Sequence, residues 1–392
     1  MTTCDILVLG LGAMGSAAAY QLAKRGAKVV GIDRFAPPHS FGSSHGDSRI
    51  TRLAIGEGAH YTPLAMRSHE LWRAIETETG ANLMTQSGGL MISSPDRTSK
   101  LHVDDFFGNT VAAAERFGIA HEILDAREIR RRFPPFSVRD GEIGYYEPDA
   151  GFLRPEACVR EQISLARKYG ADIRTGETAL GFEPSPSKVT VTTDKGRYEA
   201  SMLIVAAGPW LPELLGPRYA QAFRIYRQCL FWFDATGPIA PFQPPNFPIF
   251  IWEVQGPSQA IYGFPAIDGA HGGVKVATQQ YEATTTPGTV NREVSREEIA
   301  AMHATFVAPY LPGLGSKCLK AVSCLYTVTP DSGFVIDRHP ESANVIVASP
   351  CSGHGFKHSA AIGEALAELA TIGTPRLDLS AFKFERLLKP SA

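Results

Sequence analysis

The sequence predicts an α/β protein in which a Rossmann-like domain of parallel strands is interleaved with an antiparallel-sheet domain of the α+β kind. Three observations predict this. A strand, a glycine-rich turn, a helix and a second strand follow one another within the first 33 residues. Buried-strand patterns recur in the middle and near the end of the chain, and a stretch rich in proline and aromatic residues alternates as antiparallel strands do. The 392 residues suffice for two or three domains.

The composition excludes several classes of protein. Hydrophobic residues make up 44% of the chain, and 38 basic residues stand against 40 acidic ones, a formal net charge of −2. This balance provides no excess of positive charge with which to bind nucleic acid or an anionic membrane. The apolar content argues against global disorder.

The cysteines and the N-terminal residues indicate the cellular compartment in which the protein is expected. The 6 cysteines are scattered without a C-x-x-C pair, which argues against a zinc ribbon and against a disulfide scaffold and favours a reducing compartment. We expect no metal site. Asp5 and several glycines interrupt the apolar N-terminal run, so we expect neither a signal peptide nor a membrane span. The cytoplasm is the expected location.

The first element is a complete βαβ unit. The apolar run 5–9 is typical of a strand buried on both faces, and residues 17–25 have the composition of a helix that Gly26 would end. Residues 28–33 supply the second strand.

Gly10, Gly12 and Gly15 lie between this strand and this helix. In a G-x-G-x-x-G turn the first glycine permits the tight turn, the second lets a pyrophosphate approach, and the third lets the helix pack closely. Asp33 ends the second strand and can accept hydrogen bonds from a ribose diol. An acid here favours an adenosine ribose without 2′-phosphate, but the motif leaves FAD and NAD both open.

The remaining elements follow in order. The segment 35–46 is predicted to be a loop, 64–78 a helix, 201–207 a buried strand, 234–265 antiparallel strands, 344–349 a strand and 355–370 a helix. The last two meet at a second glycine-rich junction, Ser352-Gly-His-Gly-Phe-Lys357. It is either an ordinary tight turn or a helix N-terminus aimed at the electron-rich edge of a ring such as a flavin. Lys357 in a first helical turn opposes the helix dipole, so we expect it to bind an anion.

Two arginines and a cysteine are less specific on their own. Arg49 and Arg52 lie three residues apart and would share one face of a helical turn, where guanidinium groups could grip a carboxylate. Taken alone, a solvated surface turn with incidental arginines is the better explanation. Cys324, in a strand-like stretch, has the pattern of an ordinary buried core residue.

Together and in this order, these elements resemble the monomeric sarcosine oxidase and N-methyltryptophan oxidase family of flavoproteins. The run from Pro37 to Arg52, PPHSFGSSHGDSRITR, is similar to a run of that family. GEG at 56–58, IYGFP at 261–265, CLY at 324–326 and the Ser352–Lys357 junction continue the likeness over nearly the whole chain.

The resemblance implies that the parallel domain is an FAD-binding domain and that FAD is attached through Cys324 to the flavin 8-methyl carbon. It implies that His45 and Arg49 lie beside the flavin ring and that Lys275 promotes reaction with oxygen, because a cation stabilises the negative charge that develops on oxygen. Further cofactor-binding positions are Ser43, Gly353, His354, Gly355 and Phe356.

On the substrate side, the resemblance implies that Arg52 and Lys357 bind the substrate carboxylate and that Tyr262 and Tyr326 wall the pocket. Four departures lie nearby. Gln279, counted among the substrate-binding residues, stands where these oxidases carry a histidine. Ser44 and Ile251 replace a histidine and a methionine, and two extra residues precede Lys275.

The implied activity is FAD-dependent oxidation of the secondary amine of an N-alkyl amino acid, with hydride transfer to the flavin, reduction of oxygen to hydrogen peroxide and hydrolysis of the imine. The expected partners are a small amine and oxygen, and a monomer is expected. The alternatives are a cyclic imino acid such as pipecolate or proline, a fructosyl amino acid, a nicotinamide-dependent dehydrogenase, or a flavin-binding module without amine oxidation. We expect the FAD-binding domain at 1–83, 147–218 and 323–392, and the substrate domain at 84–146 and 219–322.

Overall fold

The computed structural model describes residues 2–94, 103–254 and 260–388. Within them the strands are β1 (Thr2–Leu9), β2 (Val29–Asp33), β3 (Arg49–Thr51), β4 (Met84–Gln86), β5 (Gly89–Ser93), β6 (Glu122–Asp125), β7 (Ile143–Glu147), β8 (Gly151–Leu153), β9 (Asp172–Thr175), β10 (Ala179–Pro184), β11 (Val189–Thr193), β12 (Arg197–Val205), β13 (Arg224–Ala235), β14 (Ile249–Glu253), β15 (Ala260–Phe264), β16 (Val274–Thr278), β17 (Thr284–Thr285), β18 (Leu314–Val328), β19 (Val335–His339) and β20 (Ser342–Ser349). The helices are α1 (Ala13–Lys24), α2 (Thr62–Thr79), α3 (Phe106–Phe117), α4 (Ala126–Arg132), α5 (Pro155–Lys168), α6 (Leu211–Leu215), α7 (Pro217–Ala220), α8 (Arg296–Met302) and α9 (Ser359–Thr371).

The first sheet is the predicted Rossmann-like layer. Its order is β10-β11-β12-β1-β2-β9, with β20 paired to β12 and β19 to β20. The central strands β9, β2, β1, β12 and β20 run parallel. The strand β2 and the stretches 6–9, 203–205 and 345–348 are buried on both faces, which is why they read as apolar runs, whereas the strand β9 is partly exposed.

Helices α1, α5 and α9 pack together on one face of this sheet. Small residues make the close approach of α1 and α9 possible. A Cβ built on Gly363 would lie 2.3 Å from the Cβ of Ala17. The alanine-rich helices therefore pack tightly enough to fix the position of the α1 N-terminus relative to the sheet.

The second sheet contains nine strands in the order β17-β13-β16-β15-β14-β5-β7-β6, with β18 paired to β13. All its pairs are antiparallel except β5 with β14. One face packs on an aromatic core that includes Phe136, Phe250 and Trp252. A third, small sheet, β3-β8-β4, begins at Arg49. The predicted α/β class with an antiparallel partner sheet is confirmed.

Most predicted elements are present with shifted ends. The first helix begins at Ala13 rather than 17, directly after the glycine turn. The last helix begins at Ser359, because a 3-10 turn, Phe356–His358, precedes it. The predicted antiparallel region 234–265 contains parts of β13 and the pair β14–β15, whereas its residues 255–259 lie outside the described part of the chain. The predicted domain boundary at 323 falls inside β18.

Candidate active site

The carboxyl ends of the parallel strands open into one continuous cavity of about 410 Å³ that reaches the second sheet. Ligands of open α/β sheets bind at this edge. Gly15 and His45 lie outside its lining. The cavity is lined by sixteen of the predicted site residues: Gly10, Gly12, Asp33, Ser43, Arg49, Arg52, Tyr262, Lys275, Gln279, Cys324, Tyr326, Gly353, His354, Gly355, Phe356 and Lys357.

At one end, glycines bring backbone against backbone. Gly10 has φ +85°, and a Cβ there would lie 2.5 Å from the carbonyl oxygen of Ala206. A Cβ on Gly15 would lie 1.7 Å from the carbonyl oxygen of Gly10, so the third glycine sets the helix against the turn. Gly12 faces the cavity at the N-terminus of α1. The oxygen of Ser44, a departure from the family pattern, accepts a hydrogen bond from Ala13 N at 3.1 Å.

Asp33 is held at the end of β2 by the backbone. Its Oδ2 accepts from Leu11 N at 2.7 Å and its Oδ1 from Phe35 N at 2.8 Å. These two bonds orient the carboxylate, which is buried and lines the cavity beside the glycine turn. The arrangement suits a diol donor.

Further along the cavity, Cys324 and Arg49 meet. The Sγ atom lies 3.6 Å from Nη2 of Arg49, which also donates to the carbonyl oxygen of Ser43 at 2.8 Å. Burial raises the pKa of the Cys324 thiol, and the guanidinium acts against this rise. The hydroxyl of Ser43 donates to the carbonyl oxygen of Leu325, which ties the 43–49 loop to β18.

Lys275 is buried beside this group, 1% exposed. Its Nζ donates to the carbonyl oxygens of Gly46 at 2.8 Å and Ser48 at 2.9 Å, and lies 3.3 Å from Ser48 Oγ. Burial lowers the pKa of Lys275 well below its usual value, and Arg49 lowers it further. Lys275 lines the same cavity as Tyr262.

His45 is buried behind this loop. Its Nε2 has no hydrogen-bond partner among the described residues. Burial, and secondarily the charge of Arg49, lowers its pKa to about 3, so the ring is neutral at pH 7. Arg49 lines the cavity, whereas His45 does not.

The far end of the cavity contains an ion cluster. Arg52 is fully buried, and its Nη2 donates to Glu57 Oε2 at 2.6 Å. Arg52 Nε is buried and has no hydrogen-bond partner within the described part of the chain. Lys357, 5% exposed, donates to the carbonyl oxygen of His354 at 2.8 Å. Burial lowers the pKa of Lys357 to about 8, and the charge of Glu57 opposes this shift.

Two local expectations about these cations are wrong. Arg49 belongs to the strand β3 and Arg52 follows it, so the two do not share a face of a helical turn. Both still reach the cavity, because the pairing of β3 with β8 lays this segment along its wall. Lys357 lies in the 3-10 turn before α9 and not in the first turn of an α-helix.

The wall opposite the cations is aromatic. The hydroxyls of Tyr262 and Tyr326 lie 3.3 Å apart, and burial raises the pKa of both phenols. Gln279 Oε1 accepts from the hydroxyl of Tyr281 at 3.1 Å. These side chains converge on Gly353, whose φ is +83° and whose Cβ, if present, would lie 3.2 Å from Gln279 Nε2.

The glycine-rich junction Ser352–Lys357 forms another part of the cavity lining. A Cβ on Gly355 would lie 1.6 Å from the carbonyl oxygen of Pro350, so only glycine permits this turn. The ring of His354 stacks on Phe334 with centroids 4.6 Å apart, and the buried Phe356 also faces the cavity.

Sequence reasoning missed Glu57 and Tyr281. Glu57 stands between two glycines five positions after Arg52, and an acid so close to a candidate anion-binding arginine is a signal that could have found it. Tyr281 has no such signal, because its hydroxyl matters only through the position of Gln279.

The family model described as FAD dependent oxidoreductase matches residues 5–369. The fold and the cavity thus define an FAD-dependent oxidoreductase. A monomeric sarcosine oxidase of Streptomyces avermitilis is 41% identical over 386 residues, 98% of each chain. An N-methyl-L-tryptophan oxidase of Yersinia pestis is 34% identical over 389 residues, 97% of this chain and 99% of the relative. The chain belongs to the monomeric sarcosine oxidase and N-methyltryptophan oxidase family, and it is a flavin-dependent oxidase.

Among solved structures, that of NikD, an unusual amino acid oxidase essential for nikkomycin biosynthesis, has the same fold. The TM-score is 0.83 with 24% identity, over 98% of each chain. The family decides the choice that the first motif leaves open, in favour of FAD over NAD.

The residues of the cavity fit FAD. Gly12 presents bare backbone to the cavity, where a Cβ would meet only Ser44 Oγ at 3.4 Å, and the α1 N-terminus and Asp33 suit a pyrophosphate and a ribose. Among the residues described, no helix is long and apolar enough to cross a membrane. The same residues contain no group of three or more His, Cys, Asp or Glu side chains arranged for a metal ion.

Proposed function

We propose that the protein oxidises the secondary amine of an N-alkyl amino acid, of the sarcosine or N-methyltryptophan kind, to an imine that water hydrolyses, with reduction of oxygen to hydrogen peroxide. One observation carries the proposal. The end of the cavity remote from the glycine turn contains two buried cations, Arg52 and Lys357, and the carboxylate of Glu57 pairs with Arg52 and acts on the charge of Lys357.

This charge balance favours an anionic substrate. A buried cation without a counter-ion is costly, and Glu57 carries one negative charge beside two cations. A substrate carboxylate would supply a further negative charge. The unpartnered Nε of Arg52 and the remaining protons of Lys357 are donors for it.

The carboxylate contacts orient the amine. FAD, when bound, accepts the hydride from the carbon next to nitrogen and passes the electrons to oxygen. The protein holds the amine in the narrow space between the cations and the Tyr262–Tyr326 wall, which replaces bimolecular encounter by a fixed geometry. The amine must be neutral, since an ammonium has no lone pair to drive hydride loss, and the cationic surroundings favour that form.

Lys275 is assigned to the reaction with oxygen. Its amino group is fixed by three oxygen contacts, so its ammonium form would place a positive charge there before any negative charge develops on oxygen. Arg49 and His45 are assigned to positions beside the flavin ring. The neutral His45 adds no further charge there.

FAD is proposed to be attached covalently through Cys324. The thiol lines the cavity and lies beside Arg49, which favours the thiolate. Cys324→Ala should yield protein that releases all its flavin on acid denaturation, whereas the unchanged protein keeps a yellow chain. A yellow denatured Cys324→Ala chain would refute this linkage. Cys158→Ala is the matched control, because that cysteine is also fully buried but belongs to α5, faces the hydrophobic core and does not line the cavity.

The test of the activity is hydrogen peroxide release in air from sarcosine, N-methyltryptophan, pipecolate, proline and a fructosyl amino acid. We expect the largest kcat/KM with an N-methyl amino acid. A preference for pipecolate or proline would move the substrate class to cyclic imino acids. No reduction of the flavin by any of the five amines would overturn the proposal.

Three further assignments belong to this proposal. We infer a monomer from the relatives named as monomeric. The six free thiols favour the cytoplasm. The domain division of the sequence prediction is retained, with the first sheet in the FAD-binding domain and the second in the substrate domain.

A further inference from the structure

The surroundings of Lys275 extend beyond the cavity, in a row of side chains across the second sheet. Lys275 is directly opposite Trp232 and Phe264 on the neighbouring strands, and Trp232 is directly opposite Lys320 on its other neighbour. The Nζ of Lys275 lies 4.4 Å from the ring centre of Phe264 and 5.3 Å from that of Trp232, and the Nζ of Lys320 lies 4.8 Å from that of Trp232. Directly opposed residues share one face of a sheet.

The turn Gly46–Ser48 lies over this row. Its two carbonyl oxygens, from Gly46 and Ser48, both accept from Lys275. Such convergence needs an unusual backbone: Gly46 has φ +100° and Asp47 has φ +66°. A non-glycine residue in this region persists only where its surroundings hold it.

Two carboxylates hold the turn from opposite sides. Glu156, in the first turn of α5, accepts from Gly46 N at 2.6 Å and Asp47 N at 3.2 Å. The carboxylate of Asp47 contacts Lys320 on β18 at 2.7 and 2.9 Å. One anchor therefore comes from the helices of the first sheet and the other from the second sheet.

The same carboxylates act on the charge of Lys275. Four charged or titratable groups interact electrostatically with Lys275: Arg49, Asp47, Cys324 and Glu156. The charge of Lys275 in turn lowers the pKa of His45. Burial and Arg49 lower the pKa of Lys275, whereas Asp47 and Glu156 raise it.

We propose that Glu156 and Asp47 are positioning residues for the reaction with oxygen: they hold the turn Gly46–Ser48 over Lys275 and keep its ammonium group in place and protonated. The inference rests on the proposed function, in which Lys275 assists that reaction. Neither carboxylate lines the cavity, so reduction by the amine should not depend on them.

The experiment separates the two half-reactions by stopped flow across pH 6–10 in the full-length flavin-loaded enzyme. Glu156→Gln keeps an oxygen acceptor for the turn but removes the charge, so the pH above which reoxidation slows should fall by about one unit. Glu156→Ala removes both the oxygen acceptor and the charge, and reoxidation of the flavin should slow at least about tenfold at pH 8. Asp47→Asn should resemble Glu156→Gln. Reduction by substrate should stay within about twofold in all three.

A readout independent of turnover is the melting temperature against pH. The folded-state pKa of Lys275 lies below its unfolded value, so the unfolded chain binds more protons between the two and stability rises with pH in that window. Glu156→Gln should lower the folded-state pKa further. At neutral pH, Glu156→Gln should then have a lower melting temperature than the unchanged protein. The rise of its melting temperature with pH should begin at a lower pH.

Two variants distinguish the possible failures. If Lys275→Met reoxidises as fast as the unchanged protein, the assigned role of Lys275 fails. If Lys275→Met is slow but both Glu156 variants behave like the unchanged protein, this inference alone fails. Glu161→Gln, on the same helix, is the matched control. A shift in Glu161→Gln equal to that in Glu156→Gln would overturn the inference, since it would reflect the net charge of the helix.

Discussion

The two ends of the cavity are built in different ways. The end near Gly10 is made of backbone: three glycines, the α1 N-terminus and one carboxylate, all within residues 10–33. The end near Arg52 is made of buried charged and aromatic side chains from six separate segments, and its cations are paired to Glu57 and a backbone carbonyl. Tolerance to substitution should therefore differ: the first end depends on space, the second on charge.

The largest effect is expected at the backbone end. Gly15→Ala places a Cβ atom 1.7 Å from the carbonyl oxygen of Gly10. The clash is with backbone, so neither the helix at residue 15 nor the turn at Gly10 can relieve it by moving a side chain. We expect a loss of more than about 4 kcal/mol in unfolding free energy, or failure to obtain yellow protein, measured by urea denaturation. The control is Gly26→Ala, at the other end of the same helix, where nothing lies within 4 Å and only φ +84° is strained. It should lose about 1 kcal/mol. Equal losses would show that space at the turn is not what matters.

At the charged end, Arg52→Met should leave the fold and the flavin in place. Loss of charge-assisted hydrogen bonds costs about 2–3 kcal/mol, so KM for an amino-acid substrate should rise roughly 30- to 150-fold. The methyl ester of the same substrate, which lacks the carboxylate charge, is the control and should change much less. If ester and acid respond alike, the carboxylate binds elsewhere.

The pH profile sharpens the comparison, because the charged end contains Lys357, whose pKa is lowered to about 8. Lys357 is cationic below its pKa of about 8 and loses its charge as the pH rises through that value. The ratio of kcat/KM between the unchanged enzyme and Lys357→Met should therefore be largest below pH 8 and shrink above it. A ratio that stays constant from pH 6 to 10 would contradict this role of Lys357. Glycine-turn substitutions should leave the profile unshifted.

The smallest effect is expected at Gln279. One hydrogen bond to a neutral partner contributes about 1 kcal/mol, so Gln279→Ala should change the kcat/KM ratio of two N-methyl amino acids about fivefold. Tyr281→Phe removes the donor that orients the amide and should change the ratio in the same direction but less. No change in the ratio in either variant would remove Gln279 from the specificity-determining wall.

Sequence reasoning located the backbone end well. Gly10, Gly12, Gly15 and Asp33 form one local unit, in which the spacing along the chain dictates the spacing in space. The junction at Gly353–Phe356 is a similar case, since a strand-to-helix turn carries its own glycine signal. Much of the parallel core followed from apolar runs, and the predicted elements are present with shifted ends, whereas the strand β9 and the helix α5 were not predicted.

The charged end required the tertiary structure. The sequence suggested Arg52 and Lys357 as anion ligands, and resemblance supplied Cys324, Lys275 and the tyrosines. It did not predict that Glu57 pairs with Arg52, that Tyr281 orients Gln279, or that Glu156 holds the turn over Lys275. Each of these depends on contacts between strands and loops far apart in the chain, whose register is decided by the packing of two sheets. A local pattern determines what a glycine turn can bind; only packing decides which buried charges share a counter-ion, because desolvation and distance, not sequence separation, set their energies.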